Sequence, residues 1–287
     1  MEIVRTPASR FENLKDYPFE PHYVEVDAGD GSLLRMHYLD EGKGELLLCL
    51  HGQPSWSYLY RKMIPILVQA GYRVIVPDLP GFGYSSKPTD RDYTSDFFSS
   101  CLVGLIGSLG IDNCILVGNS LGGAISIRTA LDHPELVEKL VLMAPGGIEE
   151  FETYMAMPAM AKMISNFVGG ALDRDGLKRM LETLVYDPVY VTEELVDERW
   201  AILQDQPPEV LSKMVIPNME QELSEIQCPV LGFWGVDDEL LPASGGLKIA
   251  RACKPSRHIE VAQCGHWVMV EHQRMFNATC LDFLENG

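Results

Sequence analysis

The chain has 287 residues, of which 46% are hydrophobic and 22% charged, an ordinary composition for a globular protein with a full core. Its 41 acidic and 23 basic residues give a formal net charge of −18, which repels nucleic acid and anionic membrane surfaces. We therefore expect a small-molecule substrate as the partner, and neither nucleic acid nor a membrane. Whether the chain forms a homo-oligomer stays open.

The cysteines and the N-terminus indicate the compartment. Seven cysteines, an odd number, form no Cys-x-x-Cys pair, and several lie in apolar runs. Free buried thiols in a reducing compartment therefore fit better than disulfides or a metal site. The first residues, 1–7, have no apolar signal core, and no stretch approaches a membrane span. The sequence predicts a cytoplasmic protein without metal or cofactor.

Strand-like and helix-like segments alternate along the first half of the chain. Apolar runs predict strands at 23–26, 33–38, 45–50, 73–77, 114–117 and 140–143. Helices are expected at 56–70, 93–109 and 121–132. This alternation predicts an α/β fold with a parallel sheet and helices on both faces.

The alternation stops after Pro145-Gly146-Gly147. Residues 148–226 are helix-like without strand signals, and the rhythm then resumes with strands at 228–234 and 258–261 and helices at 243–252 and 271–284. We therefore predict a core formed by residues 1–147 and 227–287, with residues 148–226 inserted as a helical cap, or lid.

One short stretch carries the predicted chemistry. The apolar run from Cys114 leads into Gly-Asn-Ser-Leu-Gly, residues 118–122, and a helix-prone segment follows at once. This arrangement is typical of a nucleophile elbow, a sharp turn that holds its serine at positive φ. Flanking residues crowd such a turn, so Gly118 and Gly122 are expected to tolerate no Cβ. Ser120 is the predicted nucleophile.

A serine nucleophile needs a base, and the base needs an acid that orients it. His266 lies in a glycine-containing loop after the last predicted strand, at the edge where ligands bind in open α/β sheets. Asp237 follows the strand at 230–234, whereas Asp238 is one residue further and is expected to point elsewhere. The predicted triad is Ser120, Asp237 and His266, in the chain order of α/β-hydrolases.

The oxyanion hole requires two backbone N–H groups. Leu121, directly after the nucleophile, is expected to supply one, and Gln53, in the loop after the strand at 45–50, the other. His51 is expected to hold that loop rather than to take part in catalysis.

Over essentially its whole length the chain resembles the α/β-hydrolase superfamily. The resemblance implies a mostly parallel eight-stranded sheet flanked by helices, with a helical cap after strand 6. Residues 1–90 resemble haloalkane dehalogenases, above all in the run from His51 to Lys62. Those enzymes place an aspartate and then a halide-binding tryptophan at the elbow, where this chain has Ser120 and Leu121. A serine would form an ether with the substrate carbon, so dehalogenation is not expected, nor is epoxide hydrolysis.

From residue 115 onward the chain resembles the meta-cleavage-product hydrolases, which cut a carbon–carbon bond in 2-hydroxy-6-oxo-dienoates. The shared runs are 118–123, 142–147, 177–181, 192–195, 199–200 and 264–267. The resemblance implies substrate contacts by Asn119, Arg199 and Trp267. The alternative for Arg199 is a surface ion pair on a solvated helix face.

The resemblance to these carbon–carbon hydrolases is incomplete. They follow His-Gly with a glycine-rich stretch that receives the dienoate carboxylate, whereas here Gln53-Pro54-Ser55-Trp56 follows. From the sequence we therefore favour a carboxylesterase acting on small acyl esters or lactones, with the carbon–carbon hydrolase as the alternative. A catalytically idle small-molecule receptor is a remote third reading, because the triad and the oxyanion loop are both intact.

Overall fold

The computed structural model describes residues 2–12, 14–168 and 173–287, and an eight-stranded sheet forms its centre. The strands are β1 (His22–Asp27), β2 (Leu33–Gly42), β3 (Leu46–Leu50), β4 (Arg73–Pro77), β5 (Cys114–Asn119), β6 (Val137–Met143), β7 (Val230–Gly235) and β8 (Ser256–Val261). Their spatial order is β1-β2-β4-β3-β5-β6-β7-β8. β2 pairs antiparallel with β1 and β4, and the remaining pairs are parallel. The predicted mostly parallel eight-stranded sheet is confirmed.

The central strands are buried along their whole length. Every residue of β3, β5 and β7 is buried, which explains why these strands read as continuous apolar runs rather than alternating ones. Parallel strands of this kind have both faces covered. The carboxyl ends of β3, β5 and β7 are therefore where the chain can expose reactive side chains.

Helices flank the sheet and form most of the segment after β6. They are α1 (Ile64–Gln69), α2 (Ser95–Ser108), α3 (Leu121–Asp132), α4 (Phe151–Met155), α5 (Pro158–Val168), α6 (Arg174–Glu182), α7 (Glu193–Leu203), α8 (Pro208–Ser212), α9 (Ser244–Ala252), α10 (Val268–Glu271) and α11 (Gln273–Asn286). The helix expected at 56–70 is instead a 3-10 turn at Ser57–Tyr60 followed by α1. Pro65 lacks an N–H and its ring clashes with the preceding turn, so one continuous helix cannot form there.

Residues 148–226, which we call the cap segment, lie between β6 and β7 in the chain. They contain α4 to α8, and α5 packs against α4, α6 and α8 while α6 packs against α7. The short strand Met214–Val215 pairs with Tyr93–Thr94 outside the central sheet. The described part of the cap segment thus contributes no strand to that sheet.

The seven cysteines have the buried environment that the sequence predicts. All seven cysteines are free and buried, which confirms the prediction of buried thiols. Among the residues described, no helix is both long and apolar enough to cross a membrane.

Candidate active site

The turn between β5 and α3 has the geometry of a nucleophile elbow. Ser120 has φ 54° and ψ −115°, and its N–H donates to the carbonyl oxygen of Met143 at 3.0 Å. A Cβ at Gly118 would lie 2.5 Å from the carbonyl oxygen of Gly122, and one at Gly122 would lie 2.1 Å from that of Leu50. Both glycines therefore occupy the crowded positions that the sequence indicates, and Ser120 sits at the apex in a strained conformation.

His266 is paired with a buried carboxylate. Its Nδ1 lies 2.7 Å from Oδ2 of Asp238, and both side chains are almost fully buried. The other oxygen, Oδ1, accepts from the N–H groups of Leu240 at 2.8 Å and Leu241 at 3.0 Å. This carboxylate accepts from Nδ1–H and so selects the tautomer in which Nε2 can accept a proton. In the described chain, Nε2 makes no hydrogen bond.

The predicted partner of His266 was Asp237, and the structure corrects this. The Asp237 side chain is exposed, and its Oδ2 accepts from the N–H of Gln263 at 2.9 Å. The chain turns after β7, where the N–H of Asp238 donates to the carbonyl oxygen of Gly235 at 3.3 Å. The expectation that Asp238 points elsewhere is wrong, because this turn directs its side chain inward.

The two expected oxyanion donors flank Ser120. A Cβ at Gly52 would lie 2.9 Å from Cβ of Ser120, so the loop after β3 packs directly against the elbow. Gln53 follows Gly52 in that loop, and Leu121 is the first residue of α3. Neither N–H finds an acceptor among the hydrogen bonds of the described residues. Their positions suit an oxyanion hole, a role that stays a prediction.

His51 holds the oxyanion loop in place. Its Nε2 accepts from the N–H of Leu79 at 3.0 Å, and its Nδ1 lies 2.8 Å from the carbonyl oxygen of Gly52. The ring is therefore neutral, with Nδ1–H as the donor. Complete burial lowers the pKa of His51 to about 4. These contacts match the structural role expected from the sequence.

The buried neutral ring of His51 predicts a loss of stability in mild acid. In the unfolded chain His51 has a pKa of about 6.5, whereas in the folded protein its pKa is about 4. Between these two pH values the unfolded state therefore binds a proton that the folded state does not bind. Stability from this group is thus complete above pH 6.5 and is lost as the pH falls toward 4. Between pH 7 and pH 5 we expect the free energy of unfolding to fall by about 2 kcal/mol, measured by urea denaturation. His51→Asn should be less stable at pH 7 and lack this part of the slope, and an unchanged slope would contradict the assignment.

Arg199, on α7, is buried and reaches the oxyanion loop. Arg199 is only 3% exposed. Its Nη1 donates to the carbonyl oxygen of Pro54 at 3.3 Å and to Oγ of Ser55 at 3.4 Å. The guanidinium carbon lies 4.8 Å from the ring centroid of Trp267. Burial, with a smaller contribution from Arg61, lowers the pKa of Arg199 to about 10, so it stays charged at neutral pH.

The alternative of a surface ion pair for Arg199 is wrong. No carboxylate among the described residues lies within ion-pair distance of the guanidinium, and its Nε has no hydrogen-bond partner there. Trp267, buried and next to His266, forms one wall beside this cation. Asn119 is engaged differently: its Nδ2 donates to the carbonyl oxygen of Met143 at 3.2 Å, at the end of β6. The structure thus brings Arg199 and Trp267 together, whereas the Asn119 amide hydrogen-bonds to the backbone beside the turn at Ser120.

Sequence reasoning missed two residues at this site. The sequence favours Asp237 over Asp238, and only the turn after β7 shows which of the two faces His266. The second residue is Glu271, at the end of α10. Its Oε1 accepts from the N–H of Gly265 at 2.8 Å and so binds the loop that carries His266. A glutamate in a helix-like stretch has no signal that marks it for such a contact.

Comparison with known proteins agrees with this geometry. A family model described as alpha/beta hydrolase fold matches residues 45–273. The chain belongs to the α/β-hydrolase family. As a family member it is a hydrolase, and its combined likeness to carbon–carbon hydrolases and to dehalogenases is confirmed by its relatives.

Three relatives span nearly the whole chain. A 2-hydroxy-6-oxononadienedioate/2-hydroxy-6-oxononatrienedioate hydrolase of Comamonas testosteroni is 37% identical over 279 residues, covering 92% of this chain and 96% of that protein. A haloalkane dehalogenase of Psychrobacter cryohalolentis is 32% identical, covering 100% and 99%. The solved structure of a meta-cleavage product hydrolase from Pseudomonas fluorescens superposes with a TM-score of 0.77 at 25% identity, covering 91% and 97%.

Proposed function

We propose that this α/β-hydrolase is a carbon–carbon bond hydrolase acting on 2-hydroxy-6-oxo-dienoates, rather than the carboxylesterase that the sequence alone favours. The observation that carries this is Arg199, a buried cation beside the oxyanion loop without a carboxylate partner in the described chain. A buried charge without a partner costs free energy. A bound carboxylate or enolate would supply the missing charge and accept two parallel N–H bonds from a guanidinium.

The chemistry of such a substrate needs a cation and a base. The 2-hydroxyl loses its proton and C5 gains one, which converts the dienol into a ketone at C2. Ser120, deprotonated by His266, then adds to the C6 carbonyl, and the resulting oxyanion is bound by the N–H groups of Leu121 and Gln53. The C5–C6 bond breaks, its electron pair forms an enolate conjugated with the C2 oxygen, and His266 returns the proton. Water releases the acyl group from Ser120 as a carboxylic acid.

Within this proposal each residue has a distinct role. Asp238 holds His266 in the required tautomer, Arg199 stabilises the carboxylate and the developing enolate, and Trp267 offers a flat wall to the planar dienoate. In this proposal the cap segment acts as the lid. Its support is the hydrogen bond at 2.9 Å from the N–H of His266 to the carbonyl oxygen of Leu184 in the cap segment. A closed lid excludes water while the enolate forms.

Replacing Arg199 tests the substrate class. Arg199→Gln should lower kcat/KM on a 2-hydroxy-6-oxo-dienoate by about 100-fold or more, roughly 3 kcal/mol of transition-state stabilisation, because an anionic group loses its cation. On a neutral short-chain p-nitrophenyl ester the same change should cost less than about tenfold. Loss of dienoate absorbance and release of nitrophenolate measure the two rates.

The matched control for that substitution is Arg179→Gln. Arg179 is an exposed arginine on α6 of the same cap segment and should leave both rates unchanged. Equal losses on ester and dienoate in Arg199→Gln would assign Arg199 a purely structural role and remove the main support for the proposal.

One observation favours an esterase as the second candidate. The run Gln53-Pro54-Ser55-Trp56 stands where the carbon–carbon hydrolases have a glycine-rich carboxylate receptor. An ester needs only the triad and the oxyanion hole. If the protein cleaves p-nitrophenyl esters readily and dienoates slowly or not at all, the esterase reading replaces the carbon–carbon hydrolase.

A further inference from the structure

One buried carboxylate joins the cap segment to the loop that carries His266. Glu271 is the last residue of α10 and is 8% exposed. Its Oε1 accepts from the N–H of Gly265 at 2.8 Å, and its Oε2 accepts from the N–H of Tyr186 at 2.7 Å. One oxygen therefore binds the catalytic loop and the other binds the cap segment.

Other hydrogen bonds also hold the cap segment against the loop that carries His266. The N–H of His266 donates to the carbonyl oxygen of Leu184 at 2.9 Å, and the Tyr190 hydroxyl donates to the carbonyl oxygen of Glu271 at 3.0 Å. A Cβ at Gly265 would lie 2.9 Å from the Leu184 oxygen. The backbone of the cap segment therefore lies directly on the loop, and a shift of one displaces the other.

The bridge that Glu271 forms between Gly265 and Tyr186 requires a carboxylate rather than any other polar side chain. An ionised carboxylate accepts hydrogen bonds at both oxygens, whereas an amide accepts at one and donates at the other. Burial raises the pKa of Glu271, while the N–H groups of Gly265 and Tyr186 act in the opposite direction. Within the described residues Glu271 forms no ion pair. Its hydrogen-bond donors there are the backbone N–H groups of Gly265, Tyr186 and Asp187 and the thiol of Cys264, whose Sγ lies 3.8 Å from Oε1.

We propose that Glu271 is a positioning residue that makes the alignment of His266 depend on the docked cap segment. Gly265 precedes His266 directly, and the 2.7 Å contact between His266 and Asp238 tolerates little displacement of the ring. When residues 184–187 are docked, Glu271 holds Gly265 and the base is aligned; when they lift, that restraint is released. The inference rests on the proposed serine-hydrolase function and adds to it a link between lid and base.

The test replaces Glu271 by its isostere. Glu271→Gln keeps the shape of the side chain, but one of its two oxygen acceptors becomes an NH2 donor, which then faces the N–H of either Gly265 or Tyr186. We expect kcat to fall by about tenfold or more with KM within about threefold, because alignment of the base affects the transition state more than binding. Labelling of Ser120 by a fluorophosphonate should slow in parallel, and this readout does not depend on the natural substrate.

A second buried carboxylate supplies the matched control. Glu149 is also 8% exposed, and it accepts from Oγ of Ser244 at 2.6 Å and pairs with Nζ of Lys248 at 2.6 Å. It joins the start of the cap segment to α9 and has no hydrogen bond to the loop at 264–266. Glu149→Gln should lower the melting temperature but leave kcat, counted per labelled site, within about twofold.

The outcomes separate the inference from the function on which it rests. If Glu271→Gln matches Glu149→Gln, losing thermal stability but keeping kcat and the labelling rate per folded site, the positioning role is refuted. If the wild type labels but cleaves no dienoate, the substrate class is wrong and the labelling rates still decide the role of Glu271. A wild type that does not label at all overturns both. If Glu271→Gln does not fold, Glu271→Asp, which keeps two acceptor oxygens on a shorter side chain, takes its place with an intermediate loss expected.

Discussion

Ser120→Ala is expected to lower kcat by about 10⁴-fold or more on any substrate that the wild type cleaves, because no other nucleophile is placed at the elbow. His266→Ala should have a similar effect, and the double variant should be scarcely worse than either, since the members of a triad act as a unit. Steady-state assays on the p-nitrophenyl ester and on the dienoate measure these losses.

The folded state should survive the Ser120 substitution. Alanine meets the same strain as serine at φ 54°, so the melting temperature should change little. Fluorophosphonate labelling should be absent from Ser120→Ala. Residual activity of more than a few per cent in purified Ser120→Ala would show that another group performs the attack, and the assignment of the elbow would then fail.

The second large effect concerns the acid. Asp238→Asn should lower kcat by about 10³- to 10⁴-fold, because an amide at this position no longer favours the tautomer in which Nδ1 of His266 carries the proton. Asp237→Asn removes only a carboxylate acceptor of the Gln263 N–H at the surface and should cost less than about tenfold. The two neighbouring variants differ by one position and serve as controls for each other.

Fluorophosphonate labelling adds a check on the same assignment. The reaction needs Ser120 activated by a correctly oriented His266, so labelling should slow in Asp238→Asn and keep nearly the wild-type rate in Asp237→Asn. If Asp237→Asn proves the more damaging of the two, the pairing seen between His266 and Asp238 is not the catalytic one.

Local sequence pattern was enough to predict the strands, the turn at Ser120 and the position of His266. The all-apolar runs of β3 and β5 require a sheet covered on both faces, and Gly118 and Gly122 mark a turn that only glycine can flank. His266 follows the last strand, so its place at the sheet edge follows from the order of elements alone. These features depend on near neighbours in sequence, and for that reason they could be predicted.

Three contacts depended on tertiary structure: the carboxylate paired with His266, the burial of Arg199, and the hydrogen bonds between the cap segment and the loop at 264–266. Asp237 and Asp238 are equivalent in the sequence, and only the turn after Gly235 decides which carboxylate faces inward. The sequence leaves Arg199 as either a substrate contact or a surface residue. The choice between them is made only where α7 packs on the loop at Pro54 and Ser55 and buries the side chain. Glu271 acquires its role from backbone N–H groups at 186 and 265, about 80 residues apart. Such contacts join chain segments that are distant in sequence, and the direction of a side chain across them is set by packing rather than by local pattern.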